Sequence, residues 1–275
     1  MKFKRNIIRI FFGFIFLFLL MPIGSEAGVS VIGGLSHERE VKVAETYQGV
    51  ILIRNSAEEP QEVKVYQTDY LFFFDGRNLY GEPGKIARSN ADWITFSPHR
   101  LTVPAKGTSA VNYTVKVPDD ETLLGTYWSM FMVEGISKSS PEAINPEKGK
   151  VKIGVRQIMR YGIQMVTHIG DTGIRKLKFL KTKLLKEKEK RILQVDLENI
   201  GERWLIPFLW TELYDQEGRY MGKFEGGRLL IYPGTSVRFR IDLSEVLEGT
   251  YKALVVADSG GDDVFGITYT LKVQE

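Results

Sequence analysis

The chain is predicted to be all-β, with two tandem immunoglobulin-like β-sandwich domains after a signal peptide, on three observations. Short alternating apolar runs recur at spacings of about 8–12 residues, with Gly, Pro and Asp turn signals between them. No ten-residue stretch shows helical periodicity with caps, except for a weak pattern at Leu177, Leu180 and Leu184. Landmarks of the first half also return in order in the second. The expected boundaries are residues 1–27 for the signal, 28–170 for the first sandwich and 171–275 for the second.

Lys2, Lys4, Arg5 and Arg9 precede an uncharged apolar run from Ile10 to Gly24, and Ser25-Glu26-Ala27 offers small residues where a signal peptidase reads. Cleavage is expected before Gly28, giving a periplasmic or cell-surface protein. The rival reading is a retained anchor, for which the run is shorter than the roughly 20 residues a spanning helix needs. Cysteine is absent, so the exported protein must be held by its cores alone, without disulfides, a lipid-modified Cys, thiolate metal sites or thiol catalysis. Without residues 1–27 the chain holds 33 basic and 33 acidic residues, a balance that argues against a general nucleic-acid binder.

Val50, Leu52 and Arg54 alternate with Ile51, Ile53 and Asn55 as a first clear strand. Val63, Val65 and Gln67 lead into the aromatic run Tyr70 to Phe74, followed by the hairpin signal Asp75-Gly76. Val111 to Val117 is a half-buried strand ended by Pro118-Asp119-Asp120. Trp128, Met130 and Met132 share one face of the next strand and Tyr127, Phe131 and Val133 the other, the pattern of a central strand covered on both sides. In the second half, strand patterns run through Leu193–Leu197, Phe208–Glu212, Val237–Ile241, Tyr251–Ala257 and Phe265–Val273, with turns at Glu217-Gly218 and Gly260-Gly261.

The repeated landmarks are Asn55 and Asn199, Gly107-Thr108-Ser109 and Gly234-Thr235-Ser236, and Gly125-Thr126-Tyr127 and Gly249-Thr250-Tyr251. A unit near 100 residues is a domain rather than a solenoid repeat. Tyr127 and Tyr251 stand where a tyrosine corner ties down the preceding loop, a structural role.

Catalytic and metal motifs are lacking. His37, His99 and His168 have no metal-ligand spacing, and there is no GxSxG elbow, phosphate loop or dinucleotide fingerprint. Asp258-Ser259-Gly260-Gly261-Asp262-Asp263 could gather carboxylates around calcium, but it lacks the EF-hand Glu and reads as a hairpin tip. The expectation is a non-enzyme without cofactor or metal.

Two segments break the symmetry of the copies. Arg175 to Arg191 holds nine basic residues against Glu187 and Glu189. It reads as a hairpin with Leu177 and Phe179 inward and Lys186, Lys188 and Lys190 at its tip, or as a basic ridge for an anionic surface. The other is a polar loop from Gly135 to Lys150 followed by a strand-like run from Val151 to Ile169, far longer than a usual strand. A strand that overshoots its sheet offers its backbone to another chain.

Trp93-Ile94, Ser97-Pro98, Pro104-Ala105-Lys106-Gly107, the Val111–Val117 strand, Pro118-Asp119 and Gly125-Thr126-Tyr127-Trp128 resemble the periplasmic pilus-chaperone (PapD-like) superfamily over about residues 28–170. The resemblance implies two immunoglobulin-like sandwiches, with the 151–169 strand completing a partner subunit's sheet through Ile153, Val155 and Ile158. It further implies two cleft cations on the partner's terminal carboxylate, for which the positional equivalents are Arg39 and Arg160. The chain departs from the pattern at Tyr161-Gly162-Ile163, where no Arg-Pro pair stands, and at Arg156-Gln157, which interrupt the alternation. The expected function is an exported chaperone-like or assembly factor binding an extracytoplasmic pilin-like or surface subunit by β-strand addition. The alternative is a structural or adhesive cell-envelope module with Tyr70–Phe74 as a contact face.

Overall fold

The computed structural model describes residues 28–136 and 159–274, so the expectations for residues 1–27 and for Ile153, Val155 and Ile158 lie outside the described residues. The first half contains β1 (Val29–Ile32), β2 (Ser36–Val41), β3 (Thr46–Asn55), β4 (Gln61–Phe72), β5 (Asn78–Gly81), β6 (Ile94–Ser97), β7 (Arg100–Val103), β8 (Thr108–Lys116), β9 (Gly125–Ile136) and β10 (Arg160–Ile169). One sheet runs β1-β3-β8-β6 and the other β2-β10-β9-β4, with β5 and β7 pairing opposite ends of β4. The inward sets Ile51 and Ile53, Val63 and Val65, Val111 and Val115, and Phe131 and Val133 meet between these sheets. Period-two alternation aims each set at the same interior.

Between β1 and β2 the chain leaves one sheet for the other, and Gly33 makes that step at φ 98°, a conformation few other residues adopt. β2 then lies parallel to β10, whereas every other pairing in this sheet is antiparallel.

The second half contains β11 (Leu177–Glu187), β12 (Lys190–Asn199), β13 (Phe208–Tyr214), β14 (Tyr220–Arg228), β15 (Ser236–Asp242), β16 (Gly249–Asp258) and β17 (Val264–Val273). Its sheets are β11-β12-β15 and β14-β13-β16-β17, with Leu193, Val195, Leu209, Leu213, Phe239 and Val255 between them. The fold is all-β, as the sequence predicts. The weak helical pattern at Leu177, Leu180 and Leu184 is a strand instead. A register shift between Phe179 and Lys181 moves the inward phase by one residue, which produces the misleading spacing.

The duplicated Asn and GTS landmarks do the same structural work in each copy, and the GTY pair does not. Asn55 and Asn199 are fully buried at the ends of β3 and β12. Asn55 Nδ2 donates to Glu59 O (2.7 Å) and Pro104 O (3.1 Å), and Asn199 Nδ2 to Arg203 O (2.8 Å) and Ile231 O (3.0 Å). Their backbone N–H groups donate to Gly107 O and Thr235 O of the repeated GTS segments. Tyr251 completes a tyrosine corner by donating its hydroxyl to Leu247 O at 2.9 Å. Tyr127 diverges, packing against Trp93 at a ring separation of 4.7 Å.

Gly125 sits at φ 77°, and a Cβ there would come within 2.2 Å of Glu202 O, so the turn also requires glycine because the second half approaches it. Across this junction Trp128 stacks on Tyr232, with ring centroids 4.6 Å apart and planes 9° from parallel. Trp204 and Phe72 flank Tyr232, whose hydroxyl donates to Gln164 Oε1 at 2.7 Å. The Phe74 N–H donates to Ser236 Oγ, and the Arg238 guanidinium lies over the Phe74 ring while pairing with the fully buried Asp196. The run Tyr70–Phe74 is therefore not a free contact face: the Phe72 ring and both the backbone and ring of Phe74 are committed to the junction, and the Tyr70 carbonyl accepts from the Trp128 indole that stacks there.

Candidate functional site

Among the described residues, one edge of β10 is paired for only part of its length. The other edge pairs with β9 from Arg160 to Ile169, but β2 joins only from Ser36 opposite Gln164. Gln164 N–H donates to Leu35 O at 2.9 Å. Residues two apart on a strand point their N–H and C=O groups to the same edge. Arg160 and Gly162 therefore aim theirs along the line of β2, where no described strand pairs with them. Among the described strands, β10 is central to its sheet at Val166 and lies at an edge at Gly162.

The face beside this edge is shaped by cross-strand neighbours. Register places Arg160 opposite Glu134 and Gly162 opposite Met132 on β9, with Tyr66 opposite Met132 and Thr68 opposite Met130 on β4. Arg160, Gly162, Met130, Met132, Tyr66 and Thr68, with Tyr80 of β5, line a groove of about 430 Å3. At its end the buried Glu134 carboxylate receives Lys64 at 3.0 Å, Arg160 at 2.8 Å and the Tyr66 hydroxyl at 3.1 Å. Burial opposes ionisation of Glu134, but these donors outweigh it and hold its carboxyl below the ordinary range. Two cations on one carboxylate leave the cluster with a net positive charge.

Arg39 and Arg160 are not brought together. Arg39 is in register with Thr167, whose hydroxyl meets Tyr47 and Asn90 on the inner face, whereas Arg160 pairs with Glu134 on the outer face. Seven residues of β10 also separate the two levels, roughly 23 Å at the rise of a strand. One terminal carboxylate cannot reach both.

His168 lies at the opposite end of β10 as a buried junction residue. Its ring is 4.7 Å from that of Trp204, Nδ1 is 2.9 Å from Thr126 Oγ1 and Nε2 is 3.2 Å from Glu38 Oε1. Burial, and then the nearby Arg203, push its pKa down to about 4, so the ring is neutral at pH 7. Trp204 N–H donates to Thr126 Oγ1, whose hydroxyl hydrogen is then free to meet Nδ1. That arrangement assigns the proton to Nε2, which donates to Glu38.

Lys186, Lys188 and Lys190 are exposed around the turn joining β11 and β12, with Lys188 at φ 57° and Lys190 3.6 Å from Asp242. Lys178, Lys181 and Lys183 project from the outer face of β11, an edge strand. Lys181 crowds Lys183 and lowers its pKa. The acidic turn after β16 closes on itself: Gly260 N–H donates to Asp258 Oδ1, and Asp263 pairs with Arg175 at 3.0 Å.

The sequence pattern had put Met130 and Met132 on one face, but it missed Gly162, Tyr66, Tyr80, Lys64 and Glu134 as their neighbours. Only cross-strand register assembles those residues.

No family model matches the chain, and no curated protein does. Solved structures similar to it include a chain from a chaperone–tip adhesin complex of CFA/I fimbriae, at 10% identity and a TM-score of 0.49, covering 89% of this chain and 98% of that one. Another is the class 5 fimbriae chaperone CfaA, at 11% identity and a TM-score of 0.44, covering 90% of this chain and all of the other. A third comes from the CsuC–CsuE chaperone–tip adhesion subunit complex of Acinetobacter baumannii Csu pili, at 14% identity and a TM-score of 0.44, covering 88% and 98%. These neighbours come from fimbrial chaperone systems.

Proposed function

We propose that this chain is an exported, non-catalytic chaperone-like or assembly factor. It captures an extracytoplasmic protein subunit, pilin-like or surface-borne, by β-strand addition along the strand that ends at Ile169. The half-covered edge of β10 at Arg160–Ile163 carries this reading. Native proteins blunt, cover or charge an edge that has no partner. Here the open backbone groups lie in line with β2, so an added strand would continue an existing row of the sheet. The resemblance of the sequence to pilus chaperones supplies the class of partner. Ile153, Val155 and Ile158 enter by sequence alternation alone, and export rests on the N-terminal segment. Arg160 remains in the reading through the Glu134 cluster; Arg39, on the inner face, drops out of it.

The test is a photo-reactive residue placed at position 160 or, as control, at the exposed Lys116 of the other sheet, with the chain expressed in the envelope of its producing cell. Adducts with an envelope subunit are expected at 160, absent at 116, and lost when Ile153 and Val155 are both changed to Asp. Equal labelling at 160 and 116, or none at 160, would sink the reading.

A further inference from the structure

We propose that the strand this chain captures carries a large apolar side chain and, two positions away, a carboxylate; the groove lined by Met130 and Met132 receives the first, and Arg160 with Lys64 receives the second. This inference rests on the strand-addition reading and specifies which strand is taken.

The outer-face positions of β10 at its open edge are Arg160 and Gly162, about 6.6 Å apart at the rise of a strand. A strand paired alongside presents outer-face side chains with the same spacing and at the same levels. At the level of Gly162 there is no β10 side chain to stand between the added strand and the groove. Met130 already leans across that gap, because a Cβ on Gly162 would fall 2.6 Å from Met130 Sδ. Its thioether, flexible and polarizable, thus reaches from β9 to the open edge and can repack around a guest. Tyr66 and Tyr80 wall the far side. The groove, at about 430 Å3, has room to spare for a single aromatic or branched side chain. Tyr80 is 58% exposed, so a guest there covers apolar surface that water now meets.

At the level of Arg160 the chemistry changes. Glu134 neutralises one of its two cations, and the Lys64 and Arg160 side chains remain 46% and 52% exposed. A second carboxylate would bring the cluster to neutrality, while a cation would be repelled.

The probes are twelve-residue Thr/Val strand peptides bearing Phe-x-Asp on one face, titrated against the full chain by fluorescence anisotropy. Replacing Phe by Ser, or Asp by Lys, is expected to weaken binding about tenfold each. Arg160→Glu should invert the Asp-over-Lys preference. Tyr80→Ala, at an exposed position, should remove the preference for Phe and leave folding intact. N-methylation of alternate peptide amides should abolish binding whatever the side chains. Binding that is sensitive to N-methylation but indifferent to Phe and Asp overturns this inference and leaves strand addition standing. Binding indifferent to N-methylation, or no binding by any peptide, overturns both. Self-association that doubles the mass in sedimentation and is lost in Tyr80→Ala would assign the groove to a second copy and also overturn it.

Discussion

Replacing Tyr232 by Ala should uncouple the two halves of the molecule rather than merely weaken one of them. Tyr232 is fully buried, stacked on Trp128 at 4.6 Å, flanked by Trp204 and bonded to Gln164. Truncating a buried aromatic costs about 3–5 kcal/mol. The lost contacts with Trp128, Phe72 and Gln164 all cross between the strands before Ile169 and those after Leu177, so most of that loss falls on the coupling. Calorimetry of the wild-type chain is expected to show one cooperative unfolding transition, and the variant two, the lower shifted down by several degrees. Trp128 fluorescence should follow the lower transition. Tyr232→Phe keeps the stacking and removes only the hydrogen bond, a loss of about 1 kcal/mol, and should keep a single transition. A single transition in Tyr232→Ala at an unchanged midpoint would refute the argument.

His168 makes stability depend on pH. Its pKa lies at about 4 in the fold against an unfolded value near 6.5, so the unfolded chain takes up the proton first as pH falls. The stabilisation is fully present above pH 6.5 and is lost as pH falls through that window towards 4, by about 1–3 kcal/mol after screening. Urea titrations at pH 7 and pH 4.5 should show the drop, and His168→Gln should remove most of it. Asp196→Ala leaves Arg238 without its buried partner and should cost about 3 kcal/mol in a denaturant melt, more than Arg240→Ala at the exposed pair with Glu187. Asn55→Ala and Asn199→Ala should each cost about 1–3 kcal/mol, because each buried side chain satisfies loop carbonyls. Changing Lys186, Lys188 and Lys190 to Ser should abolish salt-sensitive retention on anionic vesicles; unchanged retention would leave the turn a solvated hairpin tip.

Most of the strand framework was legible because alternation is local. The burial of Ile51, Ile53, Val111 and Val115 follows from period two alone. The duplicated Asn, GTS and GTY segments were legible as a repeat, and the tyrosine corner at Tyr251 with them, but the work of the Asn pair was not. That Asn55 reaches Pro104 and Asn199 reaches Ile231 depends on loops folding back over 49 and 32 residues. Reading Arg39 and Arg160 as one cation pair failed because a linear sequence carries no register. A parallel β2 put Arg39 opposite Thr167 and on the other face of the sheet. The aromatic run Tyr70–Phe74 misled for a related reason, since exposed and junction-facing aromatics look alike before the second half packs.

By itself the sequence determined an all-β, cysteine-free chain with a repeated strand scaffold and two asymmetric segments at the seam. These are consequences of side-chain period, turn chemistry and composition, which act within a few residues. Only the tertiary structure decided that β2 joins β10 from Gln164 onward, so that among the described strands Gly162 and Arg160 have a partner on one edge alone, beside Met130 and Met132. It alone stacked Trp128 on Tyr232 and held His168 neutral between Thr126 and Glu38. Those outcomes depend on where separate strands and the two halves meet, and each contact joins residues dozens of positions apart.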